Sequence, residues 1–180
     1  MGKEQRVDRA LGGDMKGSLF SKILYATDLS ETAKEAARYA LSLANEYEAE
    51  LTVVNVIPDL VEEMSAGMGY DLAAHFGQDK LDSFYEEGLE ESKKAVIKRI
   101  HQVCQEAGKE LESCTVQQKV EVRVGHPVEE IVKMATEGGY DLVVLGTHGH
   151  SLLDNLLLGS VARGVVKKCP MPVLTVRLKE

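Results

Sequence analysis

Cysteine is sparse in this chain. Cys104, Cys114 and Cys169 are scattered, and no two form a CxxC pair. Neither a disulfide framework nor a thiolate metal site has the spacing it needs. An odd set of separated thiols points to a reducing, cytoplasmic setting. Long apolar runs are missing too: none approaches the roughly 20 residues that span a bilayer, so no membrane partner is expected. The opening MGKEQRVDRALGGDMKG has no continuous apolar core of the secretion-signal kind. Positive charge is in deficit, with 29 Asp and Glu against 21 Lys and Arg and a formal net charge of -8. An acidic surface repels phosphate backbones, which argues against nucleic acid as a partner. One small nucleotide is not excluded, because local backbone N–H groups can outvote net charge. Several catalytic signatures are also lacking. There is no GxxxxGK[ST] loop. Gly67 and Gly69 form a GxG without a third glycine or a preceding strand. No GxSxG elbow presents a nucleophilic serine.

What is present is an alternation. The 180 residues are 44% hydrophobic and 28% charged, enough for one domain with a real core. Residues 1–18 mix charge and glycine without a period and read as a flexible tail, leaving 19–180 as the domain. LFSKILYAT reads as a first strand ending near Thr27. Ser30 then caps a helix carrying Ala33, Ala37, Ala40, Leu41 and Ala44 at helical spacing. LTVVNVIP is a second strand. DLVEEMSAGMGYDLAAHFGQD has weak periodicity and reads as a loop or broken helix, in which Met64, Met68, Tyr70 and Phe76 fit a lid or an oligomer contact. A long helix over Lys80 to Ala107 follows, stopped by Gly108. VQQKVEVRVG is a strand, and HPVEEIVKMATEGG a helix with Pro127 in its first turn. YDLVVLGT is a strand apolar enough to be buried on both faces. After GTHGHSLLDNLLLGSVARGVV, MPVLTVRLK forms the last strand. Strand–helix alternation implies an α/β fold: a single open, mainly parallel five-stranded sheet with helices on both faces.

Ligands in such sheets bind beyond the carboxyl ends of the strands. Ala26-Thr27-Asp28, Asn55-Val56-Ile57 and the segment from Gly146 onward sit at those ends. In that segment Gly146 is followed by two residues, Gly149, nine residues and Gly159-Ser160. A glycine at a strand exit permits a positive φ and close approach. Gly159-Ser160 opening a helix presents free N–H groups and a dipole to an anion. A tight turn with an ordinary N-cap serine is the plainer alternative, and spacing leaves both open. His148 and His150 flank Gly149 without an evident third metal ligand, so no metal site is assigned to the protein itself. Asp28 suits either a ligand or a helix cap. Arg163, one turn into the last helix, is within reach of a phosphate, whereas Lys167 and Lys168 suit the helix C-terminus.

ILYATDLSETA, VVNVIP, VGHPVEEIVKMA and GTHGHSLLDNLLLGSVARGVVKKCPMPVLTV together resemble the universal stress protein family, from about Phe20 to Arg177. The glycine pattern is that of its nucleotide-binding branch. The resemblance implies a Rossmann-like, adenine nucleotide alpha-hydrolase-like sheet and binding of ATP, or of ADP or AMP, with Mg²⁺ or Mn²⁺ on the phosphates. It implies that Ala26, Thr27 and Asp28 lie along the nucleoside, with Asp28 near a phosphate-bound Mg²⁺. Val56 would meet adenine through its backbone, and Leu145 and Gly146 would line the base or ribose. Gly149, Gly159, Ser160 and Val161 would hold phosphates, with His148 beside them. Ala26 stands where many members carry proline. The resemblance further implies a stress-response regulator that switches with nucleotide, has little intrinsic catalysis, and is a homodimer through the strand around Val173–Val176. A slow ATPase or autophosphorylating enzyme and a nucleotide-free dimeric scaffold are the alternatives.

Overall fold

A computed structural model describes residues 19–59, 77–107, 118–148 and 158–177, and among these residues nine elements follow one another in alternation. In chain order they are β1 (Lys22–Ala26), α1 (Glu31–Glu46), β2 (Glu50–Ile57) and α2 (Gln78–Ala107). Then come β3 (Gln118–Val124), α3 (Pro127–Glu137), β4 (Leu142–Gly146), α4 (Ser160–Lys168) and β5 (Val173–Val176). The strands form one sheet in the order β3-β2-β1-β4-β5, and every pairing is parallel. This is the expected Rossmann-like α/β fold. The long helix begins at Gln78, two residues before the expected start. The expected tail, residues 60–76 of the expected loop and the Gly108 stop lie outside the described residues, while Gln78 and Asp79 at the end of that loop are helical.

Alternate side chains of a strand point to opposite faces, and β1 shows how this builds two cores. Ile23 and Tyr25 face one way and join α1 and, through Val96, Ile100 and Val103, α2. Leu24 and Ala26 face the other way and join Val128, Ile131 and Met134 of α3 with Ala162 and Val165 of α4. On α1 the buried side is mostly alanine: Ala33, Ala36, Ala37, Ala40 and Ala44. Small side chains let this helix lie close to the sheet. On β4, Leu142 to Leu145 are buried, as the apolar density of that strand requires.

The chain winds outward from β1 in both directions, through β2 to β3 and through β4 to β5. The connections diverge where β1 meets β4, which opens a crevice beyond the strand ends. The two sheet edges differ in character. β3 carries Lys119, Glu121 and Arg123, linked by ion pairs to one another and to Glu130 of α3. β5 is VLTV, with no charge. The Val143 amide donates to Pro172 O at 3.0 Å and the Thr147 amide to Val176 O at 2.8 Å. Positions 172, 174 and 176 therefore face β4, and by strand alternation Val173 and Thr175 turn their backbone groups outward.

Candidate functional site

The exit of β1 is fixed by backbone and side-chain bonds together. The Thr27 amide continues the ladder to Val54 O at 2.9 Å. The Thr27 carbonyl accepts from Asn55 Nδ2 at 2.7 Å, a buried contact. The chain then turns sharply. Leu29 has φ 66, its amide donates to Thr27 Oγ1 at 3.0 Å, and the Ser30 amide donates to Asp28 Oδ1 at 3.0 Å. Ser30 is the N-cap of α1, as its position before the alanine stripe suggests, and its Oγ accepts from the Ala33 amide at 3.2 Å. Below it, the Tyr25 hydroxyl donates to Ala33 O at 2.5 Å. Burial pushes the Tyr25 phenol far above its ordinary pKa, so it stays a neutral donor.

The start of α4 is the opposing wall. Gly159 is its N-cap, at φ -63 and ψ 167, and no side chain caps it. The first ladder bond is Arg163 N to Gly159 O at 3.0 Å, which leaves the amides of Ser160, Val161 and Ala162 ahead of that ladder. Ser160 therefore lies inside the helix, and the plainer alternative of an N-cap serine is set aside. Gly159 is drawn onto the β4 exit by its amide bond to Thr147 O at 2.7 Å. His148 Nδ1 lies 3.1 Å from Thr147 Oγ1.

Between these walls is a cavity of about 670 Å³, a size that suits a small-molecule ligand. Ala26, Thr27 and Asp28 line it from β1, and Val56 lines it from β2. Leu145, Gly146 and His148 line it from β4 and its exit, and Gly159, Ser160 and Val161 from α4. The structure thus brings these candidate residues to one cavity. Gly149 and His150 lie outside the described residues. Ile131 and Pro127 of α3, Ser92 of α2, and Asn55, Leu29 and Arg163 also line the cavity. Asn55 carried a legible signal, a lone amide in the apolar strand VVNVI. Ser92, Leu29 and Ile131 carried none. Among the described residues no group of three or more His, Cys, Asp or Glu side chains is placed to hold a metal.

One expectation changes. Gly146 does not adopt a positive φ. A Cβ there would lie 2.9 Å from Thr32 Cγ2 and 3.1 and 3.2 Å from backbone atoms of Thr32 and Ala33. The close approach of the first turn of α1 is by itself enough to require a glycine at Gly146. Gly159 is likewise small against Thr147 O, 3.2 Å from where its Cβ would be. The residues are at the site, but their size serves the scaffold that forms it.

The model of the Universal stress protein family matches residues 19–177. The chain belongs to this family. Universal stress protein MJ0577 of Methanocaldococcus jannaschii is 34% identical over 161 residues, 89% of this chain and 97% of that one. A solved structure described as hypothetical protein MJ0577 superposes with TM-score 0.67 at 31% identity, covering 90% of this chain and 99% of the other. The universal stress protein from Archaeoglobus fulgidus solved in complex with dAMP has TM-score 0.51 at 20% identity, over 88% and 98% of the two chains. That last likeness is one of fold. No helix among the described residues is long and apolar enough to cross a membrane.

Proposed function

We propose that this universal stress protein is a cytoplasmic, nucleotide-dependent stress-response regulator that binds ATP, or ADP or AMP, with little intrinsic catalysis. The observation that carries the reading is one of placement. The end of β2 at Val56 and the uncapped start of α4 at Gly159 and Ser160 open on the same cavity. A strand end offers backbone groups to a base edge, and an open helix start offers amides to phosphates. A nucleotide lying between them runs past Asp28, which in this reading meets the ribose or a phosphate-bound Mg²⁺. Arg163 lines the phosphate end, with Nη2 3.3 Å from Leu158 O. Asp28 already accepts from the Ser30 amide, and we assign it to positioning rather than to activating water. A dAMP complex of a protein with this fold is consistent with an adenine ligand.

The uncharged edge at Val173–Val176, against the charged edge of β3, supports a homodimer through β5.

Calorimetric titration with ATP, ADP and AMP, each with and without Mg²⁺, tests the reading. ATP at about 100 times its dissociation constant should raise the unfolding free energy by roughly 2.7 kcal/mol. Gly159→Val should abolish binding, because its side chain presses on the Thr147 carbonyl and displaces the start of α4 from the β4 exit. No binding of any adenine nucleotide at millimolar concentration would overturn the proposal.

A further inference from the structure

The connection from β1 to α1 lines the cavity with Thr27, Asp28 and Leu29, yet it adopts a conformation its sequence does not favour. Leu29 sits at φ 66, in the left-handed region that residues with a Cβ rarely enter. Such a residue persists only where its surroundings hold it. Two holds are local, from Thr27 Oγ1 and Asp28 Oδ1 to the amides that follow them. The third comes from α2. Arg99 donates from Nη2 to the Leu29 carbonyl at 2.7 Å and from Nη1 to Glu31 Oε1 at 3.2 Å. One planar group thereby grips both sides of the Ser30 cap, and its side chain is only 22% exposed. A guanidinium suits this task, since its donors are fixed in a fork and its charge strengthens the bond to a carbonyl.

Arg99 is itself firmly based. Its neighbours Val96, Ile100 and Val103 are buried in the core under the sheet. Ser92, about two helical turns earlier and so on the same side of α2, lines the cavity. One side of α2 thus touches the cavity, holds its connection and anchors in the core.

We propose that Arg99 is a positioning residue for the nucleotide site. Its fork keeps Leu29 left-handed and thereby keeps Asp28 turned along the cavity wall. The inference rests on the nucleotide-binding reading above. Apparent affinity scales with the fraction of molecules whose site is already competent, so loosening this connection weakens binding without removing a ligand contact. Glycine enters the left-handed region without a steric penalty. Leu29→Gly should therefore do part of the work of Arg99.

The test uses the full chain, Arg99→Met, Arg99→Lys and the double variant Arg99→Met with Leu29→Gly. Amide hydrogen exchange is measured without ligand, and ATP with Mg²⁺ is titrated by calorimetry. Arg99→Met should speed exchange across residues 28–33 relative to β4 and weaken ATP binding about tenfold, the scale of one lost charged hydrogen bond. Arg99→Lys, with charge but no fork, should fall between, and the double variant should recover part of the affinity. Unchanged exchange across 28–33 in Arg99→Met overturns the inference whatever ATP does. Faster exchange with unchanged ATP affinity, or a lower melting temperature with unchanged affinity, reduces Arg99 to a structural role and overturns it too. Absence of ATP binding by the unaltered chain overturns the functional reading instead, and takes with it the link from Arg99 to nucleotide.

Discussion

Gly146→Ala and Gly88→Ala make the same chemical change and are expected to act in opposite directions. Gly88 lies within α2, has nothing within 4 Å of an added Cβ, and does not have a positive φ. Alanine there loses less backbone entropy and should stabilise by about 0.5–1 kcal/mol. Gly146 ends β4 beneath the first turn of α1. Its added Cβ would meet Thr32 Cγ2 at 2.9 Å, the Thr32 carbonyl carbon at 3.1 Å and Ala33 N at 3.2 Å. Carbon contacts are most favourable at about 3.5–4.0 Å. The threonine methyl can rotate away, but the backbone atoms cannot. That turn is held by the Ser30 cap and the Tyr25 hydroxyl, so the helix start must move as a unit. Overpacking of this kind costs about 1–3 kcal/mol. In a chain of this size each kcal/mol moves the melting temperature by roughly 2–4 °C. Urea denaturation followed by circular dichroism reads the difference as a change in midpoint at constant slope. The reasoning is refuted if Gly146→Ala matches the unaltered protein, or if both alanines shift the midpoint the same way.

Asn55→Ala leaves the Thr27 carbonyl buried without its amide donor and should cost about 1–3 kcal/mol. Urea denaturation checks this, and ATP affinity should fall with it. Thr52 Oγ1 is buried without a hydrogen-bond partner. Thr52→Val should therefore stabilise by about 1 kcal/mol, and a lower midpoint would contradict the assignment. Thr175→Pro removes an outward-facing amide while sparing the bonds from β5 to β4. It should convert a dimer to a folded monomer in sedimentation velocity, and an unchanged sedimentation coefficient would count against the β5 interface. The hydrogen bond from Lys119 holds the Glu121 carboxyl below its ordinary value of 4.5. A depressed carboxyl stabilises the fold above its unfolded pKa and loses that contribution as pH falls through the folded one. Glu121→Gln should therefore lose less stability than the unaltered protein as the pH is lowered below 4.5, with only a small difference near neutrality because the Lys119 partner is exposed to solvent.

The architecture was legible because two periods carry it. The alanine stripe of α1 faces one way, while the β-branched run LTVVNVI alternates into both cores, Leu51 and Val53 on one side and Val54 and Val56 on the other. Their alternation leaves a parallel sheet as the consistent solution. The candidate residues at strand ends followed from the same rule, and the family resemblance chose among them. What escaped was anything set by distant partners. Nothing around Leu29 in the sequence announces a left-handed leucine, because one of its three holds lies on α2 at Arg99. The size of Gly146 invited a ligand as the explanation, whereas the approach of Thr32 supplies one within the fold. Local sequence reports local preference, and these positions are decided by what another element brings to them.

The contrast between the two sheet edges bears on stoichiometry. Lys119, Glu121 and Arg123 line one end of the sheet with desolvation penalties, while the other end is uncharged. A sheet with one receptive end can be extended once. If two copies join through β5 as proposed, each presents its β3 end outward, and no uncharged edge strand is left among the described residues. Pairing by that route would terminate at two chains rather than propagate into a fibre.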